Sequence, residues 1–447
     1  MSHPTPLRAT LAGPLRGVAP AKVVLLGYLA CVVAGWALLA LPWAHAVPGT
    51  AALDHLFTAT SAVSTTGLAT VPPSETYALF GELVILLLIQ LGGVGYMTVG
   101  SFIVLASGKP LSAESEELIE HDFSVPEEFS VSQFVRGVVV FTLACETLGA
   151  LALWALFAQA GVPEAGYQAV FHAVSAFSTA GFSLFDTSLE AFAGNVGVNA
   201  VVAILAYLGA IGFIVAVDVW RVGVRHRERL TFTSRIILRL TLLLTVVGTA
   251  GLFLTEQSVL SGGTGLRLME SLFQTMAAMT TVGFSTVPIG ALSQGAMMVV
   301  LLLMIVGASP SGTGGGVKTT TLAAVYAVMR SVLSGQRAVT VWHRRLPIRR
   351  FTEATASFAF YMVMLASGVF VLTLTETATF DQIVFETASA LSTVGLSLGI
   401  TGDLSAAGKL LVVVLMFAGR LGALTFGSAL FLHHDDEEDG PEEDVVV

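Results

Sequence analysis

The feature that most constrains this chain is a short phrase written four times. "VSTTGLAT" stands at 63–70, "FSTAGFSL" at 177–184, "MTTVGFST" at 279–286 and "LSTVGLSL" at 391–398. The glycines Gly67, Gly181, Gly283 and Gly395 are separated by 114, 102 and 112 residues, and each follows a phenylalanine by ten: Phe57, Phe171, Phe273 and Phe385. Self-similarity at near-even spacing means four structural units in tandem, and it comes before any local reading.

The units share an apolar pattern. A long apolar segment (near 22–42, 134–160, 235–255 and 353–375) precedes a short one (near 53–64, 166–178, 268–280 and 380–392). The glycine phrase follows, and then a second long segment (near 78–106, 196–220, 295–330 and 407–431). Of the 447 residues 54% are hydrophobic and 12% charged, about half the charge of a soluble domain. Several runs approach the ~20 residues that cross a bilayer. A dozen helical residues rise only ~18 Å, so the short segments enter the membrane and return. Non-helical backbone at that depth must be shielded by protein or line a watery path. The expectation is an all-α polytopic membrane protein of four tandem helix–pore loop–helix repeats with pseudo-four-fold symmetry. It has eight transmembrane helices and four re-entrant pore loops.

The boundaries that follow are a cytoplasmic N-terminal segment 1–21, repeat 1 at 22–108, a cytoplasmic loop 109–132 and repeat 2 at 133–220. A basic loop 221–234, repeat 3 at 235–333, a basic loop 334–351, repeat 4 at 352–432 and an acidic tail 433–447 complete the chain. The net charge of −10 belongs to that tail: "DDEEDGPEED" at 435–444 holds eight acids, and the rest carries about −2. Such a block reads as a solvated end, with partner docking as the alternative. Cys31 and Cys145 lie in apolar runs and read as small core residues. "AHA" at 44–46 resembles a signal-peptide cleavage site, but the apolar run before it is too long for one and fills the first-helix slot of repeat 1.

Basic residues orient the chain. Arg221, Arg225, Arg227, Arg229 and Arg235 fill one connection between units, and Arg330, Arg337, Arg344, Arg345, Arg349 and Arg350 the next. These connections and both termini are therefore expected to face the cytoplasm, and the glycine phrases to face outward. The outer loops carry Glu75, Glu164, Asp186, Glu190, Glu256, Glu376 and Asp403, against Arg267 and Lys409. A mildly acidic entrance concentrates cations; ordinary solvated loop acids are the alternative.

A Thr/Ser-rich turn ending in glycine aims successive carbonyls inward, with glycine supplying φ > 0. Four such turns about an axis replace a cation's hydration shell, and the C-terminal ends of the short helices point their negative poles at it. Hard oxygen ligands without carboxylates suit a large monovalent ion better than Mg²⁺ or Ca²⁺. The candidate ligands for such an ion are the backbone carbonyls of Thr65, Thr66, Gly67, Thr179, Ala180, Gly181, Thr281, Val282, Gly283, Thr393, Val394 and Gly395.

These residues, and the repeat pattern over roughly 20–432, make the chain resemble the potassium transporter subunits of the KtrB/TrkH/HKT superfamily, with KtrB as the nearest group. Glycine in all four turns resembles the potassium-selective members. The acidic tail departs from the KtrB pattern. The resemblance implies K⁺ as the transported ion, Na⁺ as a stimulating ion, a homodimer, and a KtrA-like cytoplasmic RCK ring through which alone ATP or ADP would act.

Unit 3 breaks the symmetry. "GASPSGTGGGVKTTT" at 307–321 cannot stay helical in mid-membrane. It reads as an obstructing loop below the turns, and it resembles the family's gate loop: Gly307, Ser311, Gly312, Thr313, Gly314, Gly315, Gly316 and Lys318. A nucleotide P-loop is excluded, because Val317 separates the Gly-Lys pair and no strand precedes it. A packing kink is the plainer alternative. In unit 4, Arg420 stands where the other units have Gly93, Ala210 and Ala308. It reads as a positive charge below the filter, with a carbonyl clamp or ion pair as the alternative. Gly92, Gly209, Gly307 and Gly419, and the later Gly95, Gly212 and Gly422, read as close-packing positions. Lys318 is expected to meet an acid or phosphate near the inner face, and Glu146 is a lone intramembrane carboxyl.

The function expected is K⁺ uptake through a carbonyl-lined filter, gated by the loop and regulated by the partner, in contact with lipid but not nucleic acid. No enzyme constellation or covalently bound cofactor is expected. A sodium-permeable channel is the nearest alternative. A secondary transporter of small solutes would require inverted repeats, whereas these four run in one sense.

Overall fold

The computed structural model describes residues 20–95, 131–224, 229–257, 263–310, 312–335, 338–342, 344–345, 347–422 and 426–427. Nearly all of the N-terminal segment and of the loop 109–132, together with Ser311, Arg225, Arg227, Arg337 and the tail 433–447, lie outside them. Among the described residues the one sheet is a small antiparallel hairpin, Thr340–Val341 against Arg344–Arg345. The rest is helix and connecting turns.

The helices repeat in order. Unit 1 holds α1 (Pro20–Leu39), the short α2 (Ala52–Val63), a single turn α3 (Pro73–Thr76) and α4 (Leu79–Val94). Unit 2 holds α5 (Val131–Gln159), the short α6 (Ala165–Phe177), α7 (Val196–Ile211) and α8 (Phe213–Val224). Unit 3 holds α9 (Phe232–Thr255), the short α10 (Thr264–Met279), α11 (Gln294–Ile305) and α12 (Thr319–Leu333). Unit 4 holds α13 (Ile348–Thr375), the short α14 (Phe380–Leu391) and α15 (Ala406–Leu421).

Inside each unit the long, short and second helices pack on one another, and across units each second helix packs on the next short helix. Thus α4 lies on α6, α7 on α10, α11 on α14, and α15 returns to α2, closing a ring. The phenylalanine ten residues before each glycine anchors the short helix: Phe57, Phe171, Phe273 and Phe385 are all buried. Small buried residues on the same helices, Ala62, Ala176, Ala278 and Ala390 among them, let neighbours approach closely. The outer faces are the reverse. Leu148, Leu242, Val246, Leu254, Phe370 and Leu374 on the long helices are exposed, as helices facing hydrocarbon require. Among the described residues three helices are long and apolar enough to cross a membrane, Arg136–Gln159, Phe232–Thr255 and Arg350–Thr375, and a fourth if Val196–Ile211 and Val215–Gly223 count as one bent span.

In units 1, 2 and 4 the first helix of the second long segment, expected to run on, ends at the equivalent glycine. α4, α7 and α15 end on Gly95, Gly212 and Gly422, whose φ values are 82°, 92° and 81°. Positive φ with extended ψ (135°, 157° and 150°) breaks the helical path and is a region essentially reserved for glycine. The packing reading is corrected for Gly422. A Cβ on Gly422 would meet nothing within 4 Å, so its backbone angle is what needs glycine. The reading holds for Gly92, Gly209 and Gly419, where a Cβ would overlap the carbonyl oxygens of Val63, Phe177 and Leu391, each the last residue of its unit's short helix.

Two acids expected at the entrance have structural work instead. Glu256 is fully buried and accepts from the Ser293 amide at 2.6 Å. Glu376 accepts from the Ser405 amide at 2.9 Å and its hydroxyl at 2.6 Å. Ser293 and Ser405 are themselves N-caps of α11 and α15, so each carboxylate steadies a helix start, where negative charge is favourable.

Candidate functional site

Each short helix ends in the same cap. Ser64, Ser178, Thr280 and Ser392 are right-handed and return their amides to Thr60, Val174, Met276 and Ala388 at 2.8–2.9 Å. The next residue reverses the backbone. Thr65, Thr179, Thr281 and Thr393 have φ of 52°, 52°, 60° and 52°. β-Branched residues rarely go there, and the strain is of order 1–3 kcal/mol each. Two residues on, the glycines again take positive φ: 89°, 68°, 71° and 93°. The sign of φ therefore alternates along each turn. Glycine's φ follows from its residue type; the threonines' φ was not legible in the sequence.

Hydroxyls behind the turns hold this shape. The Thr66, Ala180 and Val394 amides donate at 2.8 Å to the carbonyls of Ser61, Ser175 and Ser389. The Gly67 and Gly395 amides donate at 3.1 Å to the Ser61 and Ser389 hydroxyls. Unit 3 has Ala277 at that position, and there the Gly283 amide reaches the Ala277 carbonyl at 3.3 Å. From the first helices, Tyr28 donates to the Val63 carbonyl, and the Tyr361 hydroxyl lies 2.6 Å from Ser392 Oγ. The sequence signal for both was a tyrosine in an apolar run, which needs a polar partner when buried.

The four turns touch in a cycle. A Cβ on Gly67 would stand 2.5 Å from the Ala180 carbonyl oxygen, and one on Gly181 2.5 Å from that of Val282. A Cβ on Gly283 would overlap the Val394 oxygen, and one on Gly395 the Thr66 oxygen. The circuit 67–180, 181–282, 283–394, 395–66 returns to its start, so the four turns face one another around a single axis.

The unit 3 loop lies across the threonine end of that axis. Thr65 Oγ1 donates to the Thr313 carbonyl at 3.4 Å, and Thr179 Oγ1 to Thr313 Oγ1 at 3.1 Å. The Gly315 amide donates to Thr281 Oγ1 at 3.1 Å. Gly315 also packs on unit 4, where a Cβ would overlap Thr393 Oγ1 and stand 2.6 Å from the Ser392 oxygen. The loop therefore meets the leading threonine of all four turns. It is anchored in unit 2: the Ser309 and Thr313 amides donate at 3.0 Å to the Ala210 and Gly209 carbonyls, and Thr313 Oγ1 to the Phe177 carbonyl at 3.1 Å. A Cβ on Gly307 would overlap the Gly315 oxygen, so Gly307 packs within its own loop rather than on a helix end.

Arg420 clamps this loop. Its guanidinium donates to the Thr313 and Gly92 carbonyls, with Gly93 O at 3.4 Å, and so joins units 4, 3 and 1. These contacts are those of the carbonyl-clamp reading of Arg420. Lys318, expected near an acid or phosphate, donates to the Gly314 carbonyl at 2.6 Å across the loop's own bend. Glu146 accepts from Gln90 Nε2 at 3.1 Å, linking α5 to α4.

A ring of four helix–turn–helix units, apolar outside and lined inside by threonine hydroxyls and turn carbonyls, defines a membrane transport protein built around a polar axis. The chain belongs to the TrkH family, described as "Cation transport protein", which its sequence matches over residues 36–436. It is 34% identical to the Ktr system potassium uptake protein B of Vibrio alginolyticus over 418 residues, covering 92% of this chain and 90% of that one. It is 35% identical to the Bacillus subtilis protein of the same name, covering 91% and 92%. The potassium/sodium uptake protein NtpJ of Enterococcus hirae is 29% identical over 96% of this chain and 97% of its own. The crystal structure of the potassium transporter TrkH from Vibrio parahaemolyticus shares the fold, with a TM-score of 0.74 at 20% identity over 94% of this chain and 86% of that one.

Proposed function

We propose that this chain takes up K⁺ across the cytoplasmic membrane along the axis of the four turns. The observation that carries the reading is the closed cycle of glycine-to-carbonyl contacts from Gly67 through Gly395 to Thr66. Alternating φ turns successive carbonyls to one side of the chain, where they replace a dehydrated cation's water. The relatives named for potassium uptake support K⁺ as the ion. A relative named for both potassium and sodium supports a second reading, in which Na⁺ also passes or stimulates.

In this reading Thr65–Gly67, Thr179–Gly181, Thr281–Gly283 and Thr393–Gly395 form the filter, and the loop from Gly307 to Lys318 is the gate. Contact with all four threonines lets one segment close the whole path. Its glycines permit close approach to two backbones at once, and their freedom permits withdrawal. Arg420 holds the closed form and sets a positive barrier below the filter. The membrane potential drives uptake. The relatives' names, "Ktr system", support a second component, and we assign it as a KtrA-like nucleotide-binding ring on the basic cytoplasmic face of a homodimer. The chain itself performs no covalent chemistry.

The test is cation flux into liposomes holding this chain alone, with a variant lacking 312–316 alongside. K⁺ and Rb⁺ should enter faster than Na⁺, and the deletion should raise flux. No cation movement in either protein rejects the reading.

A further inference from the structure

Each short helix is tied to the chain that leaves its turn, and no two ties use the same residue type. In unit 4 the tie is Glu386, fully buried and nine residues before Gly395. Its Oε2 accepts from Ser397 Oγ at 2.6 Å and its Oε1 from Thr401. Ser397 lies two residues past the glycine. In unit 2 the residue nine before Gly181 is His172, also fully buried. Its Nδ1 lies 2.7 Å from the Gln168 carbonyl, which makes Nδ1 the protonated nitrogen. Nε2 then accepts from Ser183 Oγ at 3.0 Å, again two residues past the glycine. In unit 3 Gln274 donates from Nε2 to Thr286 Oγ1 at 3.1 Å, three residues past Gly283. In unit 1 the equivalent residue is Thr58, and the tie comes from one turn earlier. Asp54 accepts from Thr70 Oγ1 at 2.8 Å, three residues past Gly67, and from Lys409 Nζ at 2.7 Å.

The entry of each turn is fixed by the helix cap. The exit is fixed by these ties, and the strained threonine between the two would relax if either end came free. A ring that separates two monovalent ions must be held to about 0.5 Å, and that precision comes from the groups behind it. A carboxylate, an imidazole, an amide and a second carboxyl all bind the same stretch of chain. What the four units share is therefore a geometry and not a residue type. None of the four side chains belongs to the ring of turn contacts itself.

We infer that Asp54, His172, Gln274 and Glu386 are positioning residues for ion selectivity, acting through Thr70, Ser183, Thr286 and Ser397. The inference rests on reading the turns as the filter.

The test uses the purified full chain in liposomes and measures the K⁺-to-Na⁺ permeability ratio from bi-ionic reversal potentials, with Rb⁺ uptake as a separate readout. Ser183→Ala, Thr286→Ala and Ser397→Ala remove the hydroxyls and leave the short helices untouched. Each should lower the ratio about three- to tenfold while Rb⁺ still enters, the size expected for one buried hydrogen bond. Glu386→Ala should match Ser397→Ala, the double variant should fall no further, and Glu386→Gln, which keeps an acceptor for Ser397, should restore the ratio. If Glu386→Ala does not fold, the three hydroxyl variants decide alone. A wild-type ratio in all three, or lost uptake at an unchanged ratio, overturns the inference. Gly67→Ser in the same experiment separates the two levels. If it shifts the ratio and the hydroxyl variants do not, the ties are merely structural and the filter reading stands. If it too has no effect, the filter reading has failed and the inference with it.

Discussion

The Thr313 carbonyl accepts a hydrogen bond from the Arg420 guanidinium, 107 residues away in sequence and in a different unit. The same guanidinium binds the Gly92 carbonyl of a third unit. A single side chain thus fastens the loop across the axis to the wall around it. Charge-assisted hydrogen bonds are worth ~1.5–3 kcal/mol each. Arg420→Gln should therefore free the loop and raise Rb⁺ uptake severalfold. Arg420→Lys, which presents a point charge where a planar fork bridges two carbonyls, should fall between. Initial uptake rates in liposomes check both; an unchanged rate in Arg420→Gln contradicts the clamp.

Glycines in this ring differ in what they need, and stability measurements should sort them. A Cβ at Gly209 overlaps the Phe177 carbonyl and stands 2.8 Å from Thr313 Oγ1. Backbone cannot yield there, so Gly209→Ala should lose ~3 kcal/mol or more, in the range of severe core strain. Gly422→Ala meets open space at φ 81°, ψ 150° and should lose ~1–3 kcal/mol from its backbone conformation alone. Gly402→Ala, 3.6 Å from its nearest neighbour and without positive φ, should be neutral. Thermal unfolding in detergent gives the order directly.

The bond between Tyr361 and Ser392 Oγ, 2.6 Å long and buried, supports the cap of the fourth turn from outside. Tyr361→Phe leaves the shape and removes the hydroxyl. It should cost ~1–2 kcal/mol, the loss expected when a buried polar partner is deleted, and it should lower Tm by a few degrees.

Asp54 links units 1 and 4 through Lys409 at 2.7 Å. Burial alone would raise its carboxyl, but hydrogen bonds from Lys409 and Thr70 and the Lys409 charge outweigh burial and hold it below the ordinary aspartate value of 3.8. A group whose folded pKa is depressed stabilises the fold above its unfolded pKa, and that contribution is lost as pH falls through the folded value. The link is therefore intact at neutral pH and fails in the acid range below the ordinary carboxylate pKa of about 4. In Asp54→Asn this part of the acid dependence should be gone. Unfolding midpoints of the two proteins should converge as pH drops; a constant gap contradicts the assignment.

Much of this was legible because repeats amplify weak signals. One glycine turn says little, but the phenylalanine ten residues before each of Gly67, Gly181, Gly283 and Gly395 set the register of all four short helices. The loop was legible because the glycines and proline of 307–316 oppose helix; its expected end at 321 is corrected, since Thr319 already opens α12. Other features depend on what assembly brings together. Threonine prefers extended backbone, so the positive φ of Thr65 and its equivalents arises from the ring and not from local preference. Gly95, Gly212 and Gly422 read as packing positions because sequence spacing cannot tell a close contact from a helix end. Glu256 and Glu376 read as loop acids because their partners, Ser293 and Ser405, lie 37 and 29 residues away. Arg420 was visible as broken symmetry in unit 4, but the carbonyls it binds were not, and no local pattern singled out Asp54, whose partners Thr70 and Lys409 lie 16 and 355 residues away.

The most direct test of the account is the bi-ionic K⁺-to-Na⁺ reversal potential of four single variants, Gly67→Ser, Gly181→Ser, Gly283→Ser and Gly395→Ser, in liposomes. Each glycine abuts the carbonyl of the next turn in the cycle. All four variants should therefore lose preference for K⁺. Retention of the wild-type reversal potential in every variant that still conducts would contradict a path through the centre of the ring.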